Sequence, residues 1–279
     1  MFKFNRTIST ALLFALTLGN ANAIIIPIDL QISGQVNFSV ADSAEIVGNA
    51  TQNATMTLTN AGASTVTTVA NITPTGSNPL GDIDPGNFTF TDLGDGLGVA
   101  AIIDGEASSQ ADDFIFDIDF SLKNNSLTDT YQIFFELVYT NNVNAEGTGT
   151  FINSEIALFN SVTSEVFASD LTSDTVFFDQ KNGTTLTTLG DALNDTGTFA
   201  FDFTLSAGAS DSFSGLLKMD GSGFAANGTF DGDSEAFIRI LLAENLTPPP
   251  PPVGVPEPST VFLILSAVMG LIIKRRVTK

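Results

Sequence analysis

Apolar and polar residues alternate along the middle of the chain with the two-residue period of a β-strand. From Phe114 to Leu122 every even-numbered position is apolar, whereas positions 117, 119 and 121 are polar. A segment with this pattern buries one face and exposes the other. The pattern predicts a half-buried strand over residues 113–122, with Asp117 and Asp119 on the face that meets water.

The same period occurs in three further segments, residues 131–139, 199–205 and 236–242. Asn124-Asn125-Ser126 lies between the segments 113–122 and 131–139, and its residues favour turns. We therefore expect those two strands to pair as an antiparallel hairpin. Weaker alternation predicts further strands at 32–40, 52–59, 64–72, 86–91, 97–103, 149–159, 174–179, 212–219 and 223–230.

Many short strands, with Gly, Asn and Asp between them and no helical period, predict an all-β fold. The predicted architecture is a single β-sandwich of jelly-roll or immunoglobulin-like type over residues 24–246. Five consecutive prolines, Pro248 to Pro252, follow it. Because such a run adopts an extended polyproline helix, we expect residues 247–254 to form a stiff linker.

The amino-terminal end has the three parts of a secretory signal peptide. Two basic residues lie among the first six, an apolar core covers residues 11–18, and Ala21-Asn22-Ala23 supplies small residues at a cleavage site. The apolar core is too short for a membrane anchor. We therefore expect signal peptidase to remove residues 1–23 after Ala23, which leaves Ile24 at the mature amino terminus.

The carboxy-terminal end, residues 255–279, also has three parts. A motif covers residues 255–260, an apolar run follows from Val261 to Ile273, and basic residues begin the tail at 274–279. An uncharged run of this length spans about 20 Å as a helix, less than the ~30 Å hydrocarbon core of a bilayer. With two motif residues added, a transmembrane helix is predicted at about 259–273. The basic side chains then reach the cytoplasmic interface.

This order resembles the PEP-CTERM sorting signal of Gram-negative bacteria that secrete exopolysaccharide. The resemblance covers residues 255–276, and its motif residues here are Val255, Pro256, Glu257 and Pro258. Lys274, Arg275 and Arg276 match the basic stop-transfer cluster. The resemblance implies that exosortase, a membrane-embedded transpeptidase, cuts near the motif. It also implies an inner-membrane precursor, followed by release to the cell surface or extracellular matrix.

Charge separates the ends of the chain from its middle. The chain has 31 acidic and ten basic residues, but six of the bases and only one of the acids lie in the two end segments. Residues 24–254 therefore carry 30 acids against 4 bases, a net charge near −26. Such a surface repels nucleic acid and anionic lipid, so we expect no nucleic-acid partner. It attracts cations and basic partners.

Several residue types are missing altogether. The chain has no Cys, no His and no Trp. Without Cys there is no disulfide framework. Without His there is no Ser-His-Asp or Cys-His site, no imidazole zinc ligand and no His general base. Carboxylate pairs are the main acid–base groups left, and on so acidic a surface they arise by chance, so we predict that the protein is not an enzyme.

Two acidic groups invite a functional interpretation. Asp117 with Asp119, or Asp231 with Asp233 and Glu235, resemble glycosidase acid pairs, although an acidic strand-rich surface produces same-face pairs without function.

Calcium is another candidate, because acidic turns cluster oxygen atoms. Asp92-Leu93-Gly94-Asp95-Gly96 and residues 231–235 both do so, but neither has the spacing of an EF-hand loop. Acidic turns without a ligand are the alternative interpretation, and no cofactor is required.

The sequence therefore predicts an exported, non-enzymatic protein of the surface or matrix, with a structural or adhesive role in exopolysaccharide or biofilm. The alternative is a polysaccharide- or calcium-binding module. Binding of exopolysaccharide would depend on polar loops, because both Tyr residues fall on the apolar side of their strand. The 24 Phe residues are better explained as core.

Overall fold

The computed structural model describes residues 25–38, 46–60, 63–69 and 88–248. Within these ranges every regular element is a β-strand, and no helix is long and apolar enough to cross a membrane. The chain divides into two units, one through Asn245 and one from Leu246, and all the strands belong to the first.

Three predicted elements lie outside the described residues. These are the signal peptide with its cleavage site at Ala21 and Ala23, most of the proline-rich linker, and the sorting segment from Val255 with its helix at about 259–273 and its basic tail. Their predictions therefore stand as sequence predictions.

Two antiparallel sheets make up the first unit. The strands, in chain order, are β1 (Leu30–Phe38), β2 (Ile46–Val47), β3 (Thr51–Asn60), β4 (Ala63–Val69), β5 (Phe88–Phe90), β6 (Gly96–Glu106), β7 (Ser109–Asn124), β8 (Tyr131–Glu146), β9 (Thr150–Asn160), β10 (Glu165–Asp174), β11 (Gln180–Lys181), β12 (Thr184–Thr185), β13 (Leu193–Leu205), β14 (Ser210–Gly223) and β15 (Thr229–Asn245). Sheet 1 has nine strands, in the order β12-β11-β10-β9-β14-β7-β1-β5 with β2 paired to β7; sheet 2 has six, in the order β13-β8-β15-β6-β3-β4. The predicted all-β class is confirmed, and the two sheets share one core like those of a sandwich.

The alternating pattern of β7 places its apolar residues in that core. Phe114, Phe116, Ile118, Phe120 and Leu122 each have at most 1% of their surface exposed. This burial confirms the predicted inward face. Removal of this apolar surface from water is the main driving force that holds the sheets together.

Phenylalanine rings connect the two sheets directly. Phe120 of sheet 1 stacks on Phe213 of β14 with ring centroids 4.7 Å apart, and it meets Phe135 of sheet 2 edge-on at 5.9 Å. Phe201 and Phe203 of β13 contact Phe213 at 5.1 Å. Stacked and edge-to-face rings at such distances attract each other beyond the effect of burial alone. We call these five residues the phenylalanine cluster.

The predicted hairpin between residues 113–122 and 131–139 is wrong. β7 pairs with β1 and β14 in sheet 1, whereas β8 pairs with β13 and β15 in sheet 2. Both strands present an apolar face, and placing them in facing sheets buries both faces in one core. The turn between them therefore carries the chain from one sheet to the other.

A buried amide holds this crossing in place. Asn124 has no exposed surface, and its side-chain N–H groups donate to the carbonyl oxygens of Asp129 (2.7 Å), Leu205 (3.1 Å) and Ser206 (3.0 Å). Its Oδ1 accepts from the N–H of Ser126 at 2.9 Å. One side chain thus joins the β7–β8 crossing to the β13–β14 crossing. The bonds to Leu205 and Ser126 are fully buried, so they are costly to lose.

A second buried amide, Asn141 of β8, lies where an apolar residue would continue the alternation. Its N–H groups donate to the carbonyl oxygens of Ser154 (3.2 Å) and Ser169 (3.0 Å), and its Oδ1 accepts from Ser234 Oγ at 2.8 Å. Because Ser154 and Ser169 belong to sheet 1, these bonds fix the two sheets relative to each other.

Two weaker strand predictions are wrong, and one long strand, β10, was missed together with the two-residue strands β2, β11 and β12. The chain at 174–179 leaves β10 and turns, and most of 223–230 is the turn between β14 and β15. β10 was missed because its inward positions include Ser169 and Ser173, which interrupt the apolar alternation. The apolar run at 176–178 favoured the wrong segment, since those side chains are exposed.

Candidate functional site

The turn at Asp92–Gly96, one of the two candidate calcium groups, uses the carboxylate of Asp95 to bind its own backbone. Asp95 is 1% exposed, and its Oδ2 accepts the backbone N–H groups of Thr91 (3.0 Å) and Asp92 (2.9 Å). Gly94 adopts a φ of 90° and donates its N–H to the carbonyl oxygen of Ile240. The Asp95 carboxylate therefore closes the turn that leads into β6.

The second predicted calcium group, residues 231–235, is not a turn. It lies within β15, where Asp231, Asp233 and Glu235 follow one another along the outer face of sheet 2. Asn144 and Asn142 of β8 donate to Asp231 and Asp233, both at 3.1 Å. A strand separates such residues by about 7 Å along the sheet, so the three carboxylates do not surround one point.

The remaining predicted pair, Asp117 and Asp119, lies on the outer face of β7 but is half-buried rather than fully solvated. Burial, followed by repulsion from Asp119, raises the pKa of Asp117 above its usual value. Asp119 accepts hydrogen bonds from the side-chain amides of Gln35 (3.3 Å) and Asn37 (2.9 Å) on β1. β7 is an inner strand of sheet 1, so neighbouring side chains cover both carboxylates.

One concave acidic surface was not predicted from the sequence. A cleft of about 490 Å³ on sheet 1 is lined by Glu155 of β9, by Glu165 and Asp170 of β10, and by Val166, Phe167, Ala168, Asn182 and Gly183. We call it the acidic cleft. Glu155 and Asp170 are directly opposite each other in the β9–β10 register. Directly opposite residues have Cβ atoms about 5 Å apart, so the two carboxylates are neighbours.

The surroundings of the acidic cleft disfavour the ionised forms of its own carboxyl groups. Burial, then repulsion from Asp170 and Glu165, raises the pKa of Glu155, while nearby Lys218 of β14 partly offsets this. Burial, then repulsion from Glu165, raises the pKa of Asp170. Three carboxylates with one lysine beside them create a local negative potential, which a cationic group relieves.

The chemistry available to the cleft follows from its side chains. Carboxyl groups with raised pKa values can donate a proton or bind a cation, and the lining of Val166 and Phe167 accepts apolar groups. In the part of the chain that the structure describes, no group of three or more acidic side chains is arranged to hold a metal ion. The cleft is thus suited to a ligand that carries both positive charge and apolar surface.

The sequence contains the residues of this cleft, but they can be recognised as a group only when the pairing of β9 with β10 is known. Glu155 and Asp170 occupy outward positions of two strands joined by a short turn. Recognising β10 would have placed them opposite each other. Because Ser169 and Ser173 interrupt the apolar alternation of β10, neither that strand nor the cleft was predicted.

Elsewhere, the hydrogen bonds of Asp179 make it a strongly stabilised anion. Burial opposes its ionisation, but the backbone N–H groups of Asp174, Gly190 and Asp191 and the Thr188 side chain outweigh burial and lower its pKa. The carboxylate therefore anchors the loop that joins β10 to β13.

Asp195 of β13 has a lowered pKa for a similar reason. Burial again opposes ionisation, but hydrogen bonds from Asn182 and Ser169 and the charge of Lys181, whose Nζ lies 3.5 Å from Oδ1, outweigh it. These contacts connect β13 to the β10–β11 region of sheet 1.

Stability is expected to rise as the pH falls from 7 towards about 4. Four half-buried carboxyl groups have raised pKa values, namely Asp117, Glu155, Asp170 and Glu235. They bind protons more tightly in the folded chain, so their contribution is complete below the unfolded pKa and is lost as the pH rises through the folded pKa. Thermal melts between pH 3 and pH 8 check this.

Below about pH 4 the trend should reverse, because Asp179 and Asp195 stabilise the fold only while they are ionised. The double variant Glu155→Gln, Asp170→Asn is expected to reduce the rise between pH 7 and pH 4. A melting temperature of the unmodified chain that falls steadily over that interval contradicts this account.

Comparisons with known proteins add little to this geometry. No protein-family model matches the chain, and no curated protein matches it. Similar solved structures include those of infectious bursal disease virus strains Gx and Gt and the VP2 subviral particle of that virus, at 13%, 13% and 10% identity. They cover 86%, 85% and 76% of this chain and 72%, 72% and 64% of those chains, with TM-scores of 0.15, 0.14 and 0.12. Likeness at this level carries no argument about fold or function.

Proposed function

We propose that this chain is an exported, non-enzymatic protein of the cell surface or extracellular matrix, with a structural or adhesive role. The observation that carries the proposal is the order of its last segments, the Pro-Glu-Pro motif at 256–258, an apolar run and Lys274-Arg275-Arg276. A signal-peptide pattern at the opposite end of the chain supports it independently. The route is processing by signal peptidase and then by an exosortase.

The architecture of the strand-rich unit agrees with such a role. We infer a β-sandwich of the jelly-roll type, because the connections from β6 to β9 and from β12 to β15 change sheet at every step. In addition, β14 inserts between β7 and β9. A fold of this kind, without Cys, depends on its buried core for stability outside the cell.

A polysaccharide-binding module is the second candidate, and the outer face of sheet 2 favours it. There Asn142 and Asn144 of β8 lie beside Asp231 and Asp233 of β15 in hydrogen-bonded rows. Amide and carboxylate groups on a flat face can bind sugar hydroxyls without a Trp platform. This surface replaces the polar loops that the sequence analysis expected to bind sugar.

Deletion of the gene distinguishes the two roles. We expect a deletion strain to lose biofilm mass or flocculation, and expect the full-length chain to restore it. A chain truncated before Val255 should be exported but not retained, so it should fail to restore the phenotype. Unchanged biofilm in the deletion strain contradicts the structural role.

Saturable pull-down of the chain by purified exopolysaccharide would favour the second candidate.

A further inference from the structure

One edge of sheet 2 is a long strand with an open side. β13 pairs with β8 over its whole length, from Leu193 opposite Val143 to Leu205 opposite Tyr131, without a bulge. Among the described strands it has no second neighbour. The backbone N–H and C=O groups of alternate residues on its outer side therefore point away from the sheet.

Only the first part of this edge is covered. Lys181 Nζ donates to the carbonyl oxygen of Asn194 at 2.6 Å, and Lys181 and Asn182 contact the Asp195 carboxylate. From Thr196 to Leu205 the strand carries no Lys, Arg or Pro. Natural edge strands are usually protected by charged residues, Pro or bulges, and Asp202 is the one charged residue of this stretch. The edge is therefore open to a strand that carries the opposite charge.

An apolar cleft lies beneath the open part of the edge. It has a volume of about 230 Å³ and is lined by Leu158, Phe159, Asn160, Val166, Phe201, Asp202, Phe203 and Phe213. Phe201 and Phe203 are half-buried, so their rings leave apolar surface facing the cleft. A strand added to β13 would direct every second side chain towards this space, as the pleat of a sheet requires.

The charge around the edge selects among possible occupants. Val166 lines both this apolar cleft and the acidic cleft, which contributes Glu155, Glu165 and Asp170, and Asp202 lines the apolar cleft itself. A second copy of this acidic chain would be repelled. A segment with Lys or Arg beside its apolar residues is complementary to both the apolar lining and the negative charge of this region.

We propose that β13 and the apolar cleft form a docking site for one extended, basic polypeptide segment, whose alternating apolar side chains enter the cleft of Phe201 and Phe203 while its backbone extends sheet 2 and its basic side chains lie on the opposite face, beside Asp202. This is β-strand addition, in which main-chain hydrogen bonds supply affinity and side-chain pockets supply specificity. The proposal does not depend on the export route, since it concerns only the described strands.

The test uses the full-length chain in detergent and a labelled peptide of about nine residues that alternates Lys and Val, with fluorescence anisotropy as the readout. We expect saturable binding below about 1 mM. A block peptide with the same composition, all Lys followed by all Val, should bind at least about tenfold more weakly, because it cannot present one apolar and one basic face.

Variants locate the binding on the edge. Ala200→Lys places a positive charge on the exposed face of β13 and should weaken binding about tenfold, by repulsion of the peptide and protection of the edge. Thr57→Lys on β3 makes the same charge change elsewhere on sheet 2 and should leave affinity within about twofold. Asp202→Asn removes the carboxylate on the face of β13 that the peptide's lysines share, so it should weaken binding and reduce its salt dependence.

Three results would overturn the proposal. The first is the absence of binding at about 1 mM peptide. The second is equal affinity for the alternating and block peptides, which would mean attraction by net charge alone. The third is concentration-dependent dimerisation in analytical ultracentrifugation that Ala200→Lys abolishes, which would make a second copy the occupant of the edge.

Discussion

Replacing Phe120 by Ala is expected to lower the free energy of unfolding by about 3–5 kcal/mol. Phe120 is 1% exposed and contacts Phe90 and Phe213 of sheet 1 as well as Phe135 of sheet 2. Truncation would remove the ring that joins the two sheets and leave a cavity that a close-packed interior fills only in part. Chemical denaturation of the full-length chain, followed by circular dichroism, measures the change.

Phe177→Ala is the matched control, since it makes the same chemical change at a residue that is 76% exposed. We expect it to change the free energy of unfolding by no more than about 0.5 kcal/mol. Equal losses in the two variants would mean that the phenylalanine cluster does not hold the sheets together.

Replacing Glu257 by Ala is expected to block the proposed sorting step, so that precursor accumulates in the inner membrane. Pro256 and Pro258 fix the backbone φ on either side of Glu257 and disfavour a helix, so the sorting hypothesis expects an extended motif beside the membrane. Glu257 is the only acidic residue after Glu244. Its carboxylate is therefore the distinctive charged group of the motif for an enzyme to recognise.

Glu244→Ala is the control for that variant. Glu244 is an exposed acidic residue near the end of β15, ahead of the proline-rich segment, so its loss removes the same charge without altering the motif. We expect normal processing of this variant. Membrane fractionation and immunoblotting of both variants decide the matter. If both are processed like the unmodified chain, recognition does not depend on the Glu257 carboxylate.

The sequence predicted most clearly those strands whose inward positions are mostly apolar. β7 is the best case, because its alternation follows directly from burial of one face in the core. Pairing was harder to predict. The alternation says which face of a strand is buried but not which neighbour it has, and β7 and β8 accordingly proved to lie in different sheets.

Polar residues in the core account for most of what the sequence could not predict. Asn141 donates to Ser169 of β10 across the two sheets, and in sequence both residues only break the apolar pattern. The acidic cleft depends on the same strand, because Glu155 meets Asp170 only through the β9–β10 pairing. Sites formed by cross-strand neighbours cannot be found before the register is known.

The candidate acidic groups show that closeness in sequence does not bring carboxylates to one point. Residues 231–235 are clustered in sequence, but a strand spreads their side chains along one face. Asp92 and Asp95 are close together, but the backbone of their own turn uses the Asp95 carboxylate. Proximity in sequence was therefore a poor guide to a shared ligand.

The central claim is that the chain is exported and processed at both ends. Intact-mass measurement of the protein extracted from the cell surface tests it most directly. The account predicts a dominant species that begins at Ile24 and lacks Val261 to Lys279. A dominant species that retains Lys274-Arg275-Arg276 would contradict it.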